Sequence, residues 1–139
     1  MDTSVYVTYE QALKLKELGF DEKTEWFLTT CNYSVYDRGV EPINKGEFIT
    51  ENSKFYNKAC VVKAPTLAQV EKWLREKYNL YLEIEIGMWD DDESPWWDST
   101  VYKIDKRGPK GLSYSSEKYE THEQALSSAI DNALMHIKK

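Results

Sequence analysis

The chain has 139 residues, of which 41% are hydrophobic; this is enough for one globular domain but too little for two well-packed ones. Its 18 basic residues against 24 acidic ones give a formal net charge of −6. This balance argues against a protein that binds duplex nucleic acid nonspecifically, because such binding depends on lysine and arginine.

Three helices are predicted from a shared Thr-x-x-Gln start, in which the threonine oxygen accepts a hydrogen bond from the third backbone N–H and the glutamine reaches back. The capping threonines are Thr8, Thr66 and Thr121. The helices are expected at about residues 9–18, 67–78 and 122–137. Gly19 fits the left-handed position after the first helix, and Phe20 is placed to fold back on its last turn.

Strands are predicted between these helices, where the period of the apolar residues changes from helical spacing to alternation. In chain order they lie at residues 26–33, 47–50, 59–63, 80–89, 100–105 and 112–115. Residues 80–89 alternate most regularly, with apolar residues at the even positions and two glutamates and two aromatic residues among the odd ones. A strand covered on both faces would be continuously apolar, so this alternation favours an antiparallel or mixed sheet with one uncovered face.

The order of the elements predicts a single α+β domain over residues 1–139. We expect one antiparallel or mixed sheet of four to five strands, with the three helices packed on one face. Residues 37–57 are interpreted as a long loop that contains the short strand at 47–50.

The sharpest change in composition lies at residues 81–98, where seven carboxylates occur without a basic residue and three tryptophans stand among them. Aromatic rings offer cation–π contacts and acids supply charge, so this combination is typical of a site for an arginine or a basic peptide. The candidate binding residues are Tyr81, Glu83, Glu85, Trp89, Asp91, Trp96 and Trp97. The simpler interpretation is a solvated acidic hairpin loop whose tryptophans cover the rim of the sheet.

Motifs for catalysis or for a cofactor are missing from the sequence: it contains no nucleophile elbow, no glycine-rich phosphate loop and no paired metal-binding histidines. Cys31 and Cys60 are interpreted as reduced thiols, and together with His122 and His136 they lack the short spacings of a zinc site. We therefore expect no cofactor and no metal. An enzyme of unrecognised type stays an alternative, because activity depends on geometry that local motifs do not reveal.

Three stretches, at residues 6–20, 64–77 and 119–126, carry a resemblance when they are taken together. They read YVTYEQALKLKELGF, APTLAQVEKWLREK and YETHEQAL. This combination resembles a group of short, uncharacterised proteins encoded by phages and integrated mobile elements of anaerobic gut bacteria. The resemblance covers the helices and the strand after the second one. It implies a small accessory protein of the bacterial cytoplasm and brings no activity with it.

Two functions are compatible with these patterns. The first is a non-enzymatic binding module whose uncovered sheet face meets a basic protein surface. The second is a small-ligand or nucleotide-binding protein, or an enzyme, with a cleft under residues 37–58, because long loops are often functional. A homodimer is possible for such a domain. We expect no membrane partner, since the sequence has no apolar run of spanning length and no signal peptide. Duplex nucleic acid is not expected as a partner either, because the net charge is negative.

Overall fold

A computed structural model describes residues 2–32, 44–88, 95–114 and 117–137 of the protein. The predicted binding residues Trp89 and Asp91 lie outside these ranges, as do residues 37–43 of the predicted loop. The chain divides into two compact units, one formed by Tyr6–Pro65 and the other by Met1–Val5 with Thr66–Lys139.

Within the described residues, the Tyr6–Pro65 unit holds one α-helix, one short 3-10 helix and one small sheet. Its elements are α1 (Tyr9–Glu17), β1 (Phe27–Thr29), β2 (Phe48–Ile49), a short 3-10 helix (Lys58–Cys60) and β3 (Val61–Lys63). The strands are antiparallel and lie in the order β2-β1-β3. All three residues of β1 are buried, and α1 contacts β3 while it buries Ala12 and Leu15.

Both ends of α1 have the predicted capping hydrogen bonds. Thr8 Oγ1 accepts a hydrogen bond from the Gln11 backbone N–H at 3.1 Å, and Gln11 Oε1 accepts one from the Thr8 N–H at 2.9 Å, so the capping box is complete. At the other end, Gly19 has φ +88° and its N–H donates to the Lys16 carbonyl at 3.1 Å, while Phe20 N–H donates to the Leu15 carbonyl at 2.9 Å. These two bonds form a Schellman motif, which turns the chain and buries Phe20.

The Thr66–Lys139 unit is built on an antiparallel meander. Its elements are α2 (Leu67–Tyr78), β4 (Leu80–Met88), β5 (Pro95–Asp105), β6 (Gly108–Tyr114) and α3 (His122–Met135). The sheet has the order β4-β5-β6; α2 contacts β4, and α3 contacts β4, β5 and α2. Asn79, in the left-handed conformation with φ 57°, ends α2 and starts the turn into β4. Among the described residues, no helix is long and apolar enough to cross a lipid bilayer.

Both helices of this unit begin as predicted at their threonines. Thr66 Oγ1 accepts from the Gln69 N–H and Thr121 Oγ1 from the Gln124 N–H, each at 3.1 Å. In α3 the Gln124 side chain reaches back one residue further than expected, because its Oε1 accepts from the Glu120 N–H at 3.1 Å.

The α+β class and the three helices are confirmed, but the expected single sheet of four to five strands is wrong. The described residues form two three-stranded antiparallel sheets, and α1 belongs to the unit of the first sheet while α2 and α3 contact the second. Alternation in a sequence shows which side of a strand is apolar, but it does not show which strands share hydrogen bonds. The strand predicted at residues 100–105 also begins earlier, at Pro95, so that Trp96 and Trp97 lie within β5 rather than in a loop.

The helices cover only part of the sheet in the Thr66–Lys139 unit. The even-numbered residues of β4 are buried at Leu80 and half-buried at Leu82 and Ile84. Further along the strand Ile86 is 60% exposed and Met88 56%. The apolar side of the β4–β5 hairpin therefore extends beyond the helices that cover its base.

Candidate functional site

The candidate site is the side of the β4-β5-β6 sheet that faces away from α2 and α3, here called the outer face. Leu80 and Val101 are buried against the helices and so lie on the other side of the sheet, because successive residues of a strand point to opposite faces. By the same alternation and the strand register, the outer face carries Tyr81, Glu83, Glu85, Trp96, Asp98, Thr100, Tyr102, Ile104 and Tyr114. The predicted uncovered side with its two glutamates is therefore present, and both glutamates are exposed.

Three carboxyl groups lie together on the outer face. Glu85 is directly opposite Asp98 on the neighbouring strand, and Glu83 precedes Glu85 by two residues on the same side. A hydrogen bond with the Glu83 carboxyl and the charges of Glu83 and Asp98 raise the pKa of Glu85 above its ordinary value of 4.5. Within the described ranges, no lysine or arginine nitrogen comes within 4.0 Å of these three carboxylates. Among the described residues, the cluster therefore has no paired cation.

Asp98 differs from the two glutamates because it lies in the middle strand and is only 6% exposed. Its Oδ2 is 3.5 Å from the Tyr114 hydroxyl, which donates to it. Its Oδ1 is buried, and none of the described residues donates a hydrogen bond to it. A buried carboxylate oxygen without a donor is energetically costly.

The indole ring of Trp96 lies against the backbone of Gly87, its partner across the strands. A Cβ atom at Gly87 would be 2.2 Å from indole Cζ2, so only glycine admits the ring here. The Lys118 ammonium lies over the same ring, 4.6 Å from its centroid. Trp96 thus already has a cation–π partner within the chain, and a ligand would have to share or displace it.

A groove of about 360 Å³ runs along the other end of the outer face. Its walls come from Tyr81 on β4, Tyr102 and Ile104 on β5, and Pro109 on β6, and Glu83 lies at its side. Partial desolvation and the nearby Glu83 carboxylate raise the pKa of Tyr102 above its ordinary value of 10.0. The groove joins apolar and aromatic walls to a carboxylate.

The structure separates the predicted binding residues. Tyr81, Glu83, Glu85 and Trp96 share the outer face, whereas Trp97 is directed to the helix side. There its ring meets His122 edge to face at a centroid distance of 5.2 Å, and its backbone pairs with Tyr119 through bonds of 2.7 and 2.8 Å. Trp97 is therefore part of the packing between β5 and the start of α3.

Asp98, Tyr102 and Tyr114 belong to the outer face but are absent from the predicted set. The sequence does contain a signal for the first two: Trp96, Asp98, Thr100 and Tyr102 alternate with residues of the helix side throughout β5. A strand that was predicted to start only at Thr100 hides this alternation. The place of Tyr114 depends on an irregularity in the β5–β6 register between Val101 and Tyr102, which no local pattern reveals.

No group of three or more histidine, cysteine, aspartate or glutamate residues is arranged to hold a metal ion in the part of the chain that the structure describes. Cys31 and Cys60 are not joined to each other by a disulfide bond, and both are half-buried.

The cleft predicted under residues 37–58 lies partly outside the described residues, because these begin again only at residue 44. In the Tyr6–Pro65 unit a pocket of about 310 Å³ is bordered by Tyr56 and Lys58 from the end of that segment. The pocket opens beside β1 and β3, and it shares no residue with the outer face.

Comparison of the chain with protein-family models, with curated proteins and with solved structures gives no significant match.

Proposed function

We propose that the protein is a small non-enzymatic binding module that takes a basic protein surface on the outer face of its β4-β5-β6 sheet. The observation that carries this proposal is the group of three carboxylates, Glu83, Glu85 and Asp98, which has no cation within 4.0 Å among the described residues. Like charges this close repel one another, and a partner that brings positive charge removes the repulsion.

The groove beside Glu83 favours a long basic side chain as the contacting group. Arginine and lysine have apolar stems that pack on rings and aliphatic walls while the charged head stays at a polar edge. Tyr81, Tyr102 and Ile104 offer such walls, and Glu83 offers the charge at the edge. Arginine fits better than lysine, since its guanidinium both stacks on aromatic rings and binds carboxylates in a bidentate way.

Asp98 supplies the specific part of the proposed contact. Its buried Oδ1 has no donor in the described structure, so a rotation of the carboxyl toward a bound guanidinium would satisfy an oxygen that the free protein leaves unpaired. Glu85, directly across the strands, is placed to bind the same head group. In the free protein the unpaired oxygen of Asp98 and the repulsion between neighbouring carboxylates are unfavourable, and binding of a cation would relieve both.

The resemblance to proteins of phages and mobile elements suggests the setting. In that setting the module is an accessory protein of the bacterial cytoplasm, and its partner is a basic host or phage protein. The net charge of −6 assists the encounter with such a partner, because opposite charges increase association rates.

The test uses two peptides of the same length, one containing several arginines and the other citrulline at the same positions. Citrulline keeps the shape of the side chain and removes its charge. Titration calorimetry with the full chain is expected to show binding of the arginine peptide, weakened by added salt, and no measurable binding of the citrulline peptide.

Variants locate the contact. The double variant Glu83→Gln with Glu85→Gln is expected to raise the dissociation constant for the arginine peptide by roughly tenfold. The matched control is Glu22→Gln with Glu25→Gln, which changes the net charge equally at two exposed positions of the other unit. If the control weakens binding as much as the outer-face variant does, the attraction is a property of the whole acidic chain and the proposed surface is wrong.

A further inference from the structure

The pocket of the Tyr6–Pro65 unit is independent of the proposed docking surface, because none of its lining residues belongs to the outer face. Its volume of about 310 Å³ lies at the lower end of the range of small-ligand pockets, about 300–1,000 Å³. Two features, an aromatic floor and a rim of lysines, define what it can hold.

The floor is formed by rings and a branched side chain. The register of β1 and β3 pairs Phe27 with Lys63, and Val61 lies two residues earlier on the same side of the sheet. Phe27 and Val61 are buried, and the Tyr56 ring meets Phe27 nearly edge-on at a centroid distance of 5.2 Å. Phe20, brought there by the Schellman turn after α1, closes the floor on another side. Such a floor suits a flat aromatic molecule.

The ammonium group of Lys63 is already engaged at the rim. Its Nζ donates to the carbonyl oxygens of Asp21 at 3.0 Å and Glu22 at 2.9 Å. It also lies 3.6 Å from Asp21 Oδ1. An ammonium has three donors, so Lys63 serves mainly to fix the loop after α1 against β3.

Lys16 and Lys58 supply positive charge that is not paired with a carboxylate among the described residues. Both line the pocket and both are exposed. In the described parts of the chain, no carboxylate lies within 4.0 Å of either ammonium group. The pocket thus joins an apolar aromatic floor to two cations without an acidic partner, and among its described lining residues the one acid, Asp21, is already paired with Lys63.

We infer that this pocket binds small aromatic anions, with the ring on Phe27 and Tyr56 and the carboxylate, sulfonate or phosphate group at Lys16 and Lys58. A neutral aromatic molecule contacts the aromatic floor but lacks the attraction to the two lysines. An aromatic cation is repelled by the lysines. The inference names a ligand class, aromatic anions, for the alternative function that the sequence raised, a small-ligand-binding protein with a cleft under residues 37–58.

The experiment titrates the isotope-labelled full chain with three probes that share a naphthalene ring: the carboxylate, the neutral carboxamide and the methylammonium. Amide shifts in a two-dimensional nuclear magnetic resonance spectrum locate the binding. The carboxylate is expected to shift the amides of Phe27, Val61 and Val62, and to bind roughly fivefold more tightly than the carboxamide and more tightly still than the ammonium.

The charged rim is tested with the double variant Lys16→Gln and Lys58→Gln, which is expected to bind carboxylate and carboxamide equally. The control, Lys103→Gln with Lys110→Gln, makes the same change of charge at exposed positions of the other unit and is expected to keep the preference. Since all four lysines are exposed, the spectra of the variants should keep the dispersion of a folded chain.

Three results would overturn the inference. The first is the absence of shifts at the pocket amides with the carboxylate at tens of millimolar. The second is equal affinity for the three probes, and the third is an unchanged preference in the Lys16→Gln, Lys58→Gln variant. None of them bears on the outer face, so the docking proposal stands or falls separately.

Discussion

Replacement of Gly87 by alanine tests the packing of Trp96 on the outer face. The added Cβ would lie 2.2, 2.4 and 2.7 Å from three atoms of the indole ring. Since carbon atoms prefer separations of about 3.5–4.0 Å, the ring must move by more than about 1 Å and leave the backbone of β4. That movement also takes it from the Lys118 ammonium, now 4.6 Å from its centroid.

The magnitude follows from opposing effects. Overpacking of this kind costs about 1–3 kcal/mol, and loss of the cation–π contact adds about 0.5–1 kcal/mol. Alanine restricts the unfolded chain more than glycine does, which returns about 0.4–1 kcal/mol. We expect a net loss of about 1–3 kcal/mol in the free energy of unfolding.

Gly111, on β6 of the same sheet, provides the matched control. A Cβ atom there would lie 3.9 Å from the nearest atom of Tyr102, which is an ordinary contact. Gly111→Ala should therefore leave the free energy of unfolding unchanged or raise it by up to about 1 kcal/mol. Urea unfolding followed by circular dichroism and tryptophan fluorescence measures both variants. Equal urea midpoints for the two would refute the reasoning, because the indole could then not be seated on Gly87.

Three further predictions concern charge and helix ends. Glu85 has a raised pKa in the folded state, so its protonated form is favoured by folding and the stability it contributes is lost as the pH rises through that pKa. Glu85→Gln should accordingly be more stable than the wild type at pH 7, with the gain shrinking as the pH falls through the raised pKa toward the ordinary value of 4.5; a constant difference in urea midpoint would contradict this. Gly19→Ala should cost about 1 kcal/mol by its backbone alone, since φ is +88° and the Cβ meets nothing within 4 Å, and Gly19→Asn should cost less in the same assay. Thr8→Ala removes the hydroxyl that accepts from the Gln11 N–H but keeps the bond from the backbone N–H of position 8 to Gln11 Oε1, so it should cost about 1 kcal/mol. Thr8→Ser keeps both bonds and should cost about a few tenths of a kcal/mol; equal losses would rule out the hydroxyl as the cause.

Much of the local structure could be predicted because its causes are local. Thr8 and Gln11 specify the start of α1, Gly19 specifies its end, and the alternation over β4 places Glu83 and Glu85 on the uncovered side. Each of these outcomes is decided within a few residues by hydrogen bonding or by the pleat of a strand.

The remaining features depend on partners that are distant in the sequence. The division of the strands into two sheets is set by pairings such as that of β1 with β3, more than thirty residues apart in the chain. The seat of Trp96 on Gly87 follows from the β4–β5 register, and the same register sends Trp97 to the opposite side. Sequence patterns predicted that acidic and aromatic residues form the candidate site. They did not show that Trp96 already contacts Lys118 and that Trp97 already packs on His122.

The exposed apolar tip at Ile86 and Met88 has a consequence for how copies of the protein behave in concentrated solution. An unshielded strand of this kind invites edge-to-edge association, and natural sequences often flank such stretches with charged gatekeepers. Here four acids in succession, residues 90–93, stand in the sequence one residue, Trp89, after the end of the strand. At neutral pH their mutual repulsion opposes stacking of one hairpin upon another, so acidification, which neutralises them, is the condition under which colloidal stability should fail first.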